Sequence, residues 1–158
     1  MTGLGYDVLV VLHVLSAVVG FGAVGVTGTY AARARSAPDP RKQAQLRRYF
    51  HPGTNWAERT LLLTPLLGTV VLLSGDRAAA SLAWPWVGLG CWALAAAIAT
   101  AWCWPAERRI QSFLAETAEQ APDALANFRD LCRVLQRGAF AISVCFLAAV
   151  VVMIGQPR

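Results

Sequence analysis

The sequence predicts an all-α protein embedded in a membrane, a four-helix bundle with short amphipathic cytoplasmic helices. Three observations predict it. Hydrophobic side chains make up 56% of the chain and charged ones only 15%, whereas soluble domains carry roughly a quarter charged residues. The charges are segregated, leaving residues 8–32, 60–75, 78–106 and 138–157 free of Asp, Glu, Lys and Arg. Basic residues then collect between alternate runs. The pattern excludes a disordered chain, a disulfide-stapled secreted module and a water-soluble enzyme. With no internal repeat and no low-complexity tail, residues 1–158 read as a single integral membrane domain.

A hydrocarbon core about 30 Å thick takes ~20 helical residues at about 1.5 Å rise. Runs 8–32, 78–106 and 138–157 each supply one span. Run 60–75 is short, but a helix beginning at Asn55 adds Trp56, Glu58 and Arg59, whose polar ends reach the headgroups. The expected spans are about 7–31, 55–74, 84–104 and 138–155. Nothing before Asp7 is basic, and the first apolar run exceeds the roughly 7–15 residues of a cleavable signal. It is expected to remain in the mature protein.

Between the spans, segment 33–59 holds Arg33, Arg35, Arg41, Lys42, Arg47, Arg48 and Arg59, and segment 107–137 holds Arg108, Arg109, Arg129, Arg133 and Arg137. Only Arg77 and Arg158 fall on the opposite side. The positive-inside rule therefore puts both long connections in the cytoplasm and both termini outside. The net charge of +5 is a topology signal. The basic residues lack the interleaved aromatics of a nucleic-acid surface, so the expected partner is the lipid bilayer and not nucleic acid.

Tryptophans mark the interfaces. Trp84 and Trp86 sit at one end of the third span and Trp102 and Trp104 at the other, and anchoring is the expected role for all six tryptophans, including Trp56 and Trp92. Pro85 suits a first helical turn, and Pro105 falls where the helix should leave the membrane or kink. In 40–50, Leu46 and Phe50 share a face opposite Arg41, Lys42, Arg47 and Arg48, before the turn signal His51-Pro52-Gly53. In 123–137, Leu125, Phe128, Leu131, Cys132 and Leu135 form a stripe, with Arg129, Asp130, Arg133 and Arg137 off it. That piece is expected to run into the fourth span after a break at Gln120-Ala121-Pro122-Asp123.

Small residues should set the packing, because lipid tails give helices no hydrophobic reason to associate. Span one offers Gly20, Gly22, Gly25 and Gly28. Span three offers two stripes, Ala93, Ala97 and Ala101, and Ala95, Ala99 and Cys103. Pro65 removes the partner of the Leu61 carbonyl, which Thr64 or Thr69 is expected to satisfy.

The chemistry available inside the membrane is sparse. His13 is the imidazole within a secure span, and such groups are candidates for function by default. By helical rise it lies about 9 Å below the outer boundary, with Cys91 and Cys145 in the same layer at about 10 Å and 13 to 15 Å. Imidazole with thiolate suits copper(I) or zinc, and imidazole alone suits haem iron. His13, Cys91 and Cys145 are therefore candidate metal ligands, and His13 a candidate cofactor ligand. Packing and a cross-helix hydrogen bond are the alternatives for the same residues. His51 belongs to a connection on the far side of the bilayer, and Met153 is a conceivable thioether ligand or a lipid-facing residue. Glu58 is the nearest acidic residue to membrane depth and is expected in the cytoplasmic headgroup zone, where it can pair with Arg33 or Arg35; a buried carboxylate, as a proton-coupled exporter needs, is the alternative. No CxxC spacing, P-loop lysine, GxSxG or HExxH occurs, so hydrolytic catalysis is not expected.

Leu12-His13-Val14-Leu15, followed by Ser16, Ala17, Gly20 and Gly22, together with Thr64-Pro65-Leu66-Leu67-Gly68, resembles the bacterial integral membrane proteins of domain-of-unknown-function family 2269 over most of the chain. The family's second span opens with an acidic residue and another proline, where this chain has Asn55-Trp56-Ala57-Glu58-Arg59. The Leu-His opening is also similar to the membrane part of copper-resistance D proteins and to HemJ-type haem-biosynthesis proteins. The resemblance implies a bacterial cell membrane and, through those broader likenesses, haem b or copper at His13. Two function classes follow. One is a non-catalytic structural or accessory subunit contacting other membrane subunits or a second copy of itself. The other is a haem- or copper-binding redox or metal-handling protein using His13.

Overall fold

The computed structural model describes residues 3–35, 40–75, 82–115 and 122–155. Arg77 and Arg158, which carry the sparsely charged side of the orientation argument, lie outside the described residues, as do Gln120 and Ala121 of the expected break and the side chains of Arg41 and Lys42. Every described element is helical, with no strand among the described residues. The helices are α1 (Leu4–Arg35), α2 (Pro40–Tyr49), α3 (Trp56–Ser74), α4 (Ala83–Ala115) and α5 (Pro122–Gly155). Four of them, α1, α3, α4 and α5, are long and apolar enough to cross a membrane.

Three helices run past the expected spans, because a formed helix adds a backbone hydrogen bond for each further residue and needs a breaker to stop it. The amphipathic 123–137 piece is continuous with the fourth span, as the apolar stripe predicts. Pro105 neither ends nor breaks α4. A π turn at Ala99–Cys103 precedes it, and the helix resumes from Trp104 to Ala115. The wider turn absorbs the N–H and space that proline denies the preceding turn. In α3, a 3₁₀ turn at Thr60–Leu62 joins Trp56–Arg59 to Leu63–Ser74.

The chain divides into two compact units. The first comprises 1–24, 55–96 and 142–158. Its interior holds Ser16, Phe21 and Val24 from α1, Glu58, Leu61 and Thr64 from α3, Ala95 and Ala96 from α4, and Ile142 from α5. Phe21 stacks on Phe146 with centroids 4.6 Å apart. Close approach rests on Gly20, where a Cβ would meet the Leu61 backbone nitrogen at 2.5 Å.

The second unit comprises 25–54 and 97–141. Leu46 and Phe50 are buried while Arg47 and Arg48 are exposed, so α2 docks by the face its sequence marks. Tyr49 stacks on Tyr30 at 3.9 Å and shares a 2.7 Å hydroxyl hydrogen bond with Thr27. Phe113 stacks on Phe128 at 4.6 Å. At Gly53 the backbone takes φ +147°, which a side chain would strain. The small-residue stripes separate cleanly: Ala95, Ala99 and Cys103 are buried, whereas Ala93, Ala97 and Ala101 are exposed. Gly28 admits Ala139, and Gly138 admits the Cys103 sulfur.

In the most apolar stretch of each spanning helix no more than 28% of residues are buried by protein. Val11, Leu15, Leu66, Leu94, Leu147 and Val151 are among the exposed side chains. Hydrocarbon covers them in an integral membrane protein.

Candidate functional site around His13

His13, Ser16 and Gly20 recur at helical spacing along one face of α1, and Thr60, Thr64 and Gly68 do the same on α3. The first unit brings these faces together. The His13 Nδ1–H donates to the Thr64 carbonyl at 3.0 Å. That oxygen has two lone pairs, so it can serve a helical N–H and the imidazole together. The Ser16 hydroxyl lies 2.7 Å from the His13 carbonyl and 3.3 Å from Thr64 Oγ1, and the Thr60 hydroxyl 2.7 Å from the Ala57 carbonyl and 3.4 Å from that of Ser16. Gly68 makes room for the ring, since a Cβ there would meet His13 Cε1 at 2.9 Å.

The carbonyl that Pro65 frees is satisfied by neither candidate. Trp92 Nε1 donates to the Leu61 carbonyl at 2.9 Å, while Thr69 turns its hydroxyl to the Pro65 carbonyl at 2.8 Å. Trp92 is therefore a cross-helix donor and not an interface anchor. The Trp92 indole N–H reaches across to a neighbouring helix, whereas the Thr69 hydroxyl closes on its own preceding turn. By contrast Trp56, Trp86 and Trp102 are exposed, as anchors require.

A carbonyl only accepts, so the contact to Thr64 fixes the proton of the neutral imidazole on Nδ1 and leaves the lone pair on Nε2. A histidine held this way is oriented as metal-bound histidines commonly are. Cys91 and Cys145 are free, half-buried thiols of the same unit. Among the described residues no group of three or more His, Cys, Asp and Glu side chains is gathered for a metal ion. Met153 is half-buried, its methyl over Gly88. His51 belongs to the second unit, exposed, with Nδ1 donating to the Pro52 carbonyl at 2.8 Å.

Glu58 takes the buried alternative, without the pairing to Arg33 or Arg35. It is 2% exposed, and the Asn55 amide donates to its carboxylate at 3.1 Å. Neither arginine named for it shows that pairing: the Arg35 guanidinium donates to Gln136 at 2.8 Å, and Arg33 lies over the Tyr30 ring. The reason is position, because Glu58 is the third residue of α3 and points back at the Asn55 that precedes the helix. Glu107 is a second buried carboxylate, in the other unit, that sequence reasoning does not single out. The signal was present. Glu107 lies on the stripe Ala99, Cys103, Ala106 and Ile110, all buried. Cys132, ahead of the charge-free run that starts at 138, is fully buried, and burial pushes its thiol up to about 12 against a smaller lowering by Arg35. It is a neutral packing group at ordinary pH.

The model of a protein family described as Predicted integral membrane protein (DUF2269) matches residues 7–157. No curated protein and no solved structure matches the chain.

Proposed function

This chain belongs to the family of predicted integral membrane proteins DUF2269, and from that premise we propose that it is a non-catalytic structural or accessory subunit of a bacterial cell membrane. The carrying observation is the use made of His13: its Nδ1 proton ties α1 to the Thr64 carbonyl, amid the Ser16 and Thr60 hydroxyls that bridge the same two helices. The imidazole acts as a staple. Gly22 and Gly25 on α1 have nothing within 4 Å of an added Cβ, which leaves smooth helix surface for another membrane subunit or a second copy. In this reading the chain is one membrane domain, with its arginine-rich connections in the cytoplasm and both termini outside, an orientation that the count of basic residues supports.

A second reading rests on the same hydrogen bond. With Nδ1 held, Nε2 presents its lone pair for haem b or copper, with Cys91 and Cys145 as the thiols of the same unit. One experiment separates the two. The protein purified in detergent is expected to be colourless and free of stoichiometric copper, with His13→Ala lowering its unfolding temperature. A haem absorption band or bound copper that His13→Ala abolishes replaces the first reading with the second.

A further inference from the structure

We propose that a cleft in the second unit binds the phosphate headgroup of an anionic glycerophospholipid. The proposal is independent of the role assigned to His13. The cleft has a volume of about 330 Å³ and is lined by Arg35, Arg133, Gln136, Arg137 and Phe140. Four of these recur on α5 at positions i, i+3, i+4 and i+7, which is one helix face. Arg35 joins them from the last turn of α1, fixed by its 2.8 Å hydrogen bond to Gln136. The basic count that reads as a topology signal thus contains three guanidinium groups converging on one concave place.

The charges do not cancel there. Arg133 is paired with Asp130 at 2.6 Å, and both side chains remain at least half exposed. Arg35 spends one N–H on a neutral amide. Arg137 is exposed, with no ion-pair partner among the described residues. Three cations facing one carboxylate leave a net positive cleft, and guanidinium forks match phosphate oxygens in pairs.

Position selects the lipid over free phosphate. Arg133 and Phe140 are seven residues apart on α5, about 10 Å of rise, and the charge-free run starts at 138 between them. The cleft therefore passes from cationic to apolar where the helix passes from headgroup to hydrocarbon. Phe140 is 71% exposed, and its ring offers an apolar wall that an acyl chain uses and an inorganic anion does not. Juxtamembrane arginines are drawn to an anionic surface, and gathering three in one cleft turns that general attraction into a site.

The test uses the full chain in neutral detergent, titrated with phosphatidylglycerol, phosphatidylcholine or inorganic phosphate, reading thermal unfolding and lipid retained in native mass spectrometry. Phosphatidylglycerol should raise the unfolding temperature saturably and stay bound, while phosphatidylcholine and millimolar phosphate should not. Arg137→Gln, an exposed change, should weaken phosphatidylglycerol binding about tenfold. Arg109→Gln, which removes an exposed charge away from the cleft, should leave it unchanged. Equal effects of the two phospholipids, equal losses in both variants, or displacement of the lipid by millimolar phosphate would each overturn the assignment.

Discussion

Glycine shows how differently one residue type is used along α1. At Gly20 an added Cβ would lie 2.5 Å from the backbone nitrogen of Leu61, and backbone cannot step aside as a side-chain tip can. Gly20→Ala should therefore cost about 1–3 kcal/mol through overpacking. Gly22, two residues on, faces open space, and Gly22→Ala should be neutral or stabilising by up to about 1 kcal/mol, since alanine orders less backbone on folding. Thermal unfolding of both variants in detergent checks the pair, and equal costs would remove the close approach from the account of this fold. The sequence marks both as small residues on a span. Only the neighbour that meets each one separates them, and that neighbour comes from α3, some forty residues away in the chain.

At the scale of the element, α3 is irregular for a reason its sequence contains and is repaired by a partner its sequence does not. Pro65 lacks an N–H, so the Leu61 carbonyl has no helical donor, and Trp92 of α4 supplies one. Trp92→Phe keeps the aromatic bulk and should cost about 1–3 kcal/mol by stranding that carbonyl. In a Pro65→Ala background the helix regains its own donor, so the same substitution should cost distinctly less. A double-mutant cycle reading unfolding in detergent measures the difference, and additive effects would mean that the indole does something else. Of the threonines named from the sequence, Thr69 closes on its own preceding turn and Thr64 meets Ser16 of α1. A donor from another helix has no signature in local spacing. Glu58 follows the same logic: its distance from Asn55 is legible, whereas its burial depends on what packs over the start of α3.

For the whole molecule, the governing fact is that four helices are covered mainly by lipid. The orientation proposed from the basic residues predicts that an export-dependent reporter fused after residue 158 is active and that the same reporter inserted near residue 118 is silent, with the opposite pattern for a fluorescent protein that matures only in the cytoplasm. Activity reversed between the two positions would invert the topology. Each unit is internally well packed, yet much of the apolar surface of the spanning helices stays outward, which is how a chain with 15% charged residues avoids needing a large core.

The sequence alone determined that this is an all-α membrane protein with four helices long and apolar enough to span, and that its arginines collect between alternate apolar runs. Those properties follow from the length and polarity of consecutive residues, which the bilayer reads directly. It also singled out His13 and the Pro65 defect. Only the tertiary structure decided that His13 donates to Thr64, that Trp92 mends the Leu61 carbonyl, that Glu58 and Glu107 are buried, and that Arg35 joins Arg133 and Arg137 around one cleft. Helix rotation settles each of these, and it is fixed by contacts between residues far apart in the chain.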